Sequence, residues 1–124
     1  MKGAERQIRV PLPPSANALR IVCKGRLITS PKYRAWQGEA EAKAMEESES
    51  DPVQFLDNEP LEAFIVLQFK TRAGDLDNRI KPLLDLCENI NVFGNDRQIV
   101  KISAFRGPSA DPPEARVTIR EWWG

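Results

Sequence analysis

The stretch from Leu61 to Arg106 constrains the fold more than any other part of the chain. It opens with Leu61 to Arg72, where Phe64, Val66 and Gln68 alternate with Ile65, Leu67 and Phe69. Both faces are largely apolar, as in an interior strand. Ala73-Gly74 ends it. From Asp77 to about Asn89, the residues Ile80, Leu83, Leu84 and Cys87 fall at i, i+3, i+4 and i+7, the spacing of an amphipathic helix. Asp77 or Asn78 can cap that helix, and Pro82 is tolerated in its first turn, where backbone donors are unpaired anyway. After a turn at Gly94-Asn95-Asp96, Gln98 to Arg106 reads as a second strand. Strand, helix and strand make a βαβ unit, with a right-handed crossover and parallel strands.

The remaining elements are arranged around that unit. Gln7 to Leu12 alternates, with Ile8, Val10 and Leu12 on one face, and Pro11 suits an edge strand. Pro13-Pro14-Ser15-Ala16-Asn17 is a rigid loop. Leu19–Cys23 and Arg26–Thr29 flank Lys24-Gly25 as a short hairpin. Ser30-Pro31 starts a helix, Ser as N-cap and Pro at the first position, that runs to about Ser48 and puts Tyr33, Trp36, Ala40 and Ala44 on one stripe. Ser50 to Pro60 is a loop. Ala115 to Trp122 is a last strand, joined to the preceding one as an antiparallel hairpin through Gly107–Pro113. The expectation is one α+β domain over residues 1–124, with a mixed β-sheet, a central βαβ unit and two main helices.

Composition removes several chemistries. The chain has no histidine, so no Ser-His-Asp or Cys-His nucleophile and no His-ligated zinc site can exist. Two cysteines, Cys23 and Cys87, lack CxxC spacing and read as reduced thiols of a cytoplasmic protein. No apolar run is long enough for a membrane span, and no secretory leader is apparent. The net charge is zero, but its distribution is uneven. Residues 1–36 carry eight basic residues against Glu5 alone, while residues 37–63 carry nine acids against Lys43 alone. Local potential governs nucleic-acid binding, so the basic arm stays a candidate.

The run Gly74-Asp75-Leu76-Asp77-Asn78-Arg79-Ile80-Lys81-Pro82-Leu83-Leu84-Asp85 stands apart. In extended chain Asp75 and Asp77 point the same way, and two such carboxylates repel unless a cation or proton lies between them. A hard divalent ion such as Mg²⁺ is the natural occupant. Lys81 follows Asp77 by one helical turn and could reach an anionic substrate there. Asp96 joins them only if a further loop bend brings it back to the strand end carrying Asp75. The competing reading is a turn and helix cap. An EF-hand loop is excluded, because Ile80 takes the required Gly position and Leu86 the bidentate Glu position. No Gly-rich phosphate cradle is present.

At this point the chain resembles the RusA family of Holliday-junction resolvases. The resemblance rests on Asp75-x-Asp77-Asn78-x-x-Lys81-x-x-x-Asp85 followed by Gly94-Asn95-Asp96-x-Gln98-Ile99, on Pro11-Leu12-Pro13-Pro14-Ser15-x-Asn17, and on Ser30-Pro31-Lys32-Tyr33-Arg34-Ala35-Trp36. It implies a homodimeric endonuclease that needs Mg²⁺, with Mn²⁺ able to stand in, and that nicks branched DNA at four-way junctions in a symmetric pair. It would serve recombination and repair. Carried over, Asp75, Asp77 and Asp96 become metal ligands and, with Lys81, the catalytic set. Lys81 would stabilise the negative charge of the transition state or help orient the attacking water. Asn95 replaces an acid often found in the family and is taken as a bystander. Arg9, Asn17, Arg20, Lys24, Arg26, Lys32, Arg34 and Asn78 are the expected DNA contacts, and such phosphate contacts set affinity and register. Trp36 and Trp122-Trp123 are assigned to core or dimer packing. The acidic segment from Glu39 to Glu62 is expected to be solvated and turned away from DNA. Two other classes compete: a Mg²⁺-dependent nuclease of flaps or forks with the same fold, and a non-catalytic DNA-binding protein, against which the intact acidic set argues.

Overall fold

The computed structural model describes residues 5–15, 20–47, 55–56, 58–72 and 74–123. The elements are β1 (Glu5–Pro11), β2 (Arg20–Cys23), β3 (Arg26–Thr29), α1 (Pro31–Glu47), β4 (Leu61–Gln68), α2 (Ile80–Asn89), β5 (Ile99–Arg106) and β6 (Glu114–Glu121). Short 3₁₀ turns occupy Asp77–Arg79 and Asp96–Gln98. A four-stranded sheet has the order β1-β6-β4-β5, and β2 and β3 form a separate antiparallel pair. The architecture is α+β with a mixed sheet, as the sequence suggests.

The βαβ unit forms as expected. β4 and β5 are parallel, with Leu61 opposite Ile99 and Leu67 opposite Arg106. β6 is antiparallel to both β4 and β1. Strands β1, β4 and β5 therefore run in one direction and end at the same side of the sheet. β1 is an edge strand, which suits Pro11.

The expected hairpin between the last two strands does not form. β6 lies on the other side of β4, between β4 and β1. The connecting segment crosses the end of β4, where Gly107 N donates to Leu67 O at 2.9 Å and Ala110 N to Phe69 O at 3.0 Å. Gly107 permits the crossing, because a Cβ there would stand 2.7 Å from Val66 Cγ1. The gain is burial. Ala115, Val117 and Ile119 of β6 are all at most 1% exposed. β5 takes the edge, with Val100, Ile102 and Phe105 about half exposed.

Both helices pack on one face of the sheet. Tyr33, Trp36, Ala40 and Ala44 of α1 are all buried, so the predicted stripe is the core stripe. They meet Ile8 and Val10 of β1, Leu61, Ala63, Ile65 and Leu67 of β4, and Leu83, Leu86 and Cys87 of α2. Each fully buried Leu or Ile contributes roughly 1.5–3 kcal/mol relative to exposure. Ser30 caps α1 as expected, its Oγ accepting from Tyr33 N at 3.1 Å. The expected cap on α2 is absent. Asp77 and Asn78 lie in a 3₁₀ turn, Arg79 occupies the N-cap position without a side-chain capping bond, and the Asn78 amide is turned to Asp75 instead. Cys87 is a free thiol, and burial pushes its pKa up to about 12, with Arg6 acting weakly in the other direction. The side chain of Cys23 lies outside the described residues, as does most of the loop expected from Ser50 to Pro60. Among the described residues no helix is long and apolar enough to cross a membrane.

Candidate active site

The three motif blocks of the sequence meet at the end of the sheet where β1 and β4 terminate. Trp36 Nε1 donates to Pro11 O at 2.7 Å, which locks α1 against the end of β1. Leu12 N donates to Pro113 O at 3.2 Å, tying the Pro-rich loop to the segment before β6. Arg79 Nη1 donates to Pro13 O at 2.5 Å, which joins the same loop to the acidic segment. Lys32, in the first turn of α1, lines a groove together with Arg79 and Pro13.

The acidic segment is shaped by a ring and a glycine. Phe69 follows β4 and is 5% exposed. Gly74 has φ +124°, and a Cβ on it would lie 2.4 Å from Phe69 Cε1. Arg106 stacks over the same ring at 4.4 Å, and its Nη2 donates to Gly74 O at 2.6 Å. Arg79 approaches that ring at 5.5 Å. Phe69 is thus a post around which the chain turns, leaving Asp75 and Asp77 exposed just beyond it. Leu76 has helical angles (φ −65°, ψ −51°), so the extended geometry suggested by the spacing does not hold between the two aspartates. Asn78 Nδ2 donates to Asp75 Oδ2 at 3.1 Å and orients that carboxylate. Burial lowers the pKa of Arg79, and the nearby Asp75 charge partly restores it.

Asp96 is not brought to this place within the chain. It precedes β5, whose first residue pairs with Leu61, whereas Asp75 follows the last residue of β4. Eight strand residues separate the two ends, roughly 25 Å. The reason is topological, since a crossover helix must deliver the chain to the start of a parallel strand, at the opposite side of the sheet. Buried Val92 and Phe93 fix that return. Among the described residues no cluster of three metal-ligating side chains exists. Lys81 also turns elsewhere than expected, pairing with Asp85 at 3.4 Å.

The turn that carries Asp96 is built with care. Asn95 Oδ1 accepts from Arg97 N at 2.8 Å, so its amide serves as a cap. Gln98 is 7% exposed, and its Oε1 accepts from Gly94 N and Asn95 N. Its Nε2 donates to Leu56 O at 2.7 Å and Glu59 O at 3.1 Å. Glu88 Oε1 accepts from Asp96 N at 2.9 Å.

The match with known families is with the model of Endodeoxyribonuclease RusA, over residues 11–120. The chain belongs to the RusA family. Its activity class is accordingly that of an endodeoxyribonuclease. No curated protein matches the chain. The RusA match covers all three motif blocks and the Asp96 turn.

The expected DNA contacts are spread more widely than the acidic loop. Lys24 and Arg26 are exposed at the β2–β3 turn, and Arg34 donates to Thr29 O at 3.4 Å. Arg9 pairs with Glu114 at 3.2 Å on the sheet face that the helices leave uncovered. Asn17 lies outside the described residues, and of Arg20 only the backbone is described. Glu62 departs from the expected solvated acidic segment, being 9% exposed and paired with Arg120 and Lys101. Phe69, Gly74, Arg79, Arg106 and Gln98 are the site-shaping residues that spacing alone did not single out for these roles.

Proposed function

We propose that the chain is a Mg²⁺-dependent endonuclease that resolves Holliday junctions by paired symmetric nicks in DNA recombination and repair, acting as a homodimer. The meeting of the Pro-rich loop, the start of α1 and the Asp75–Asp77 loop at one end of the sheet carries this reading. Two exposed carboxylates beside Arg79, whose groove also holds Lys32, suit hydrolysis of an anionic backbone. The donor set fits Mg²⁺, which takes one or two carboxylates and leaves its other positions to water and phosphate oxygens. When bound, the ion supplies charge neutralisation and a more acidic water. Asp75, held by Asn78, and Asp77 would hold it, and Lys81 would face the phosphate once released from Asp85.

Asp96 joins the reading through the second copy. If Asp96 acts with Asp75 and Asp77, the carboxylate must come from the partner protomer, because one chain keeps the two groups at opposite ends of the sheet. A two-fold dimer makes the exchange reciprocal. Leu56, Val100, Trp122 and Trp123 are 74%, 50%, 39% and 61% exposed at the Asp96 side of the sheet, apolar surface of the kind that associating chains cover. Paired nicks then follow from paired sites.

The test is incubation with a labelled four-way junction, a flap and a linear duplex, with Mg²⁺ or EDTA, beside Asp75→Asn. Symmetric nicks in the junction alone, lost in EDTA and in the variant, are expected. Preferential cutting of the flap would replace junction resolution by flap processing, and binding without cutting would remove the catalytic assignment.

A further inference from the structure

Beside the acidic loop lies a groove of about 390 Å³, lined by Leu12, Pro13, Lys32, Trp36, Arg79 and Pro113 among others. Its volume is near the lower end of the roughly 300–1,000 Å³ of sites that take one small molecule, so it suits a single nucleotide unit and not a duplex face. Its walls are of two kinds. The prolines and the indole edge give a rigid apolar floor, which loses little conformational freedom when a sugar or base packs on it. Lys32 and Arg79 give positive charge, and neither takes part in the salt bridges of the described residues.

Arg79 also has an unmet requirement. Its Nη1 is bound to Pro13 O, but its Nε is buried without a hydrogen-bond partner. A buried donor left unpaired is unfavourable, so the guanidinium sits in a place that its packing alone does not explain. The guanidinium is bound to Pro13 O and lies over the Phe69 ring, 5.5 Å from its centroid. It is a cation held in place on the groove wall, and fixed positive charge there suits a phosphate.

We infer that this groove is a nucleotide subsite for the cleaved strand, in which Arg79 and Lys32 hold the phosphodiester next to the scissile one. It rests on the nuclease reading above. Arg79 lies within reach of the Asp75 charge and lines the groove, so a strand whose scissile phosphate lies at Asp75 can set its next phosphate there. Because Arg79 joins the Pro13 loop to the acidic loop, a phosphate bound there holds both loops in register with the strand. Arg79 is then a positioning residue.

The test combines Lys32→Gln and Arg79→Lys with a methylphosphonate scan of the junction strand, in the full chain. Lys32 is exposed, so its variant should fold normally. Each variant is expected to weaken junction binding about 3- to 10-fold, and Lys32→Gln should lower the salt slope by about 0.9. One methylphosphonate adjacent to the cut should weaken the unaltered chain more than either variant does, yet cost Lys32→Gln less than it costs the unaltered chain, the remainder being the Arg79 contact. Equal additional losses at every position, or an unchanged salt slope, would overturn the subsite while leaving junction cutting by the unaltered chain intact. An unaltered chain that neither binds nor cuts junctions would overturn both readings.

Discussion

At the scale of single residues, the acidic loop depends on Gly74 and Phe69 as much as on the aspartates. A side chain at Gly74 meets two obstacles, a φ of +124° and the Phe69 ring 2.4 Å from the new Cβ. Gly74→Ala is therefore expected to cost about 1–3 kcal/mol and to displace Asp75. Thermal unfolding checks the first effect. Cleavage that falls further than binding checks the second. Cys87 makes a prediction of opposite character. Burial pushes its thiol pKa up to about 12 in the fold, against an ordinary 9.0 once the chain unfolds. Between those values the native state holds the extra proton, so its contribution to stability is lost as pH rises through that window. A Cys87→Ala chain should show a shallower fall in stability between pH 9 and 11 in denaturant titrations. The native Cys87 should also resist thiol reagents until the chain unfolds.

At the scale of elements, Gln98 holds the Asp96 turn to the rest of the molecule. Its side chain serves two backbone N–H groups and two carbonyls at once. Gln98→Leu would take the side-chain partner from those groups at a partly buried site, and about 1–3 kcal/mol of stability should go with it. A lower urea midpoint together with faster amide exchange at Gly94 and Asn95 is the expected record. If the midpoint falls but those amides stay protected, the turn is held by other means. The elements themselves were legible where periodicity is strong. The stripe Tyr33, Trp36, Ala40 and Ala44, the helix through Leu83 and Cys87, and the parallel β4–β5 pair all stand as read. The pairing of β6 was not legible, because a short connection argues for neighbours in a sheet. What decided against it is tertiary: β6 gains two flanking strands and full burial of Ala115, Val117 and Ile119 by stepping over β4. Gly107 in the connection was the one local clue.

At the scale of the whole molecule, the position of Asp96 sets the question of assembly. Asp75 and Asp77 were legible as neighbours in one exposed loop, but their relative orientation and the direction of Lys81 were not, because Leu76 is helical and Lys81 pairs with Asp85. The relation of Asp96 to them was not legible either, since it depends on where a crossover helix ends, and the loop bend that would close the set within one chain does not form. Sharing between protomers makes a prediction that a self-contained site cannot match. Asp75→Asn and Asp96→Asn should each abolish cleavage when assayed alone. After the two are mixed and their subunits exchanged, a mixed dimer holds one site with both substitutions and one site with neither. Cleavage should return as single unpaired nicks, at up to about a quarter of the sites of an unaltered population, since half the dimers are mixed by random exchange and each carries one intact site. If the set were completed within a chain, every site of the mixture would lack one carboxylate and no cleavage would return. A single nick per junction, seen as nicked product without linear duplex, therefore decides between the two arrangements.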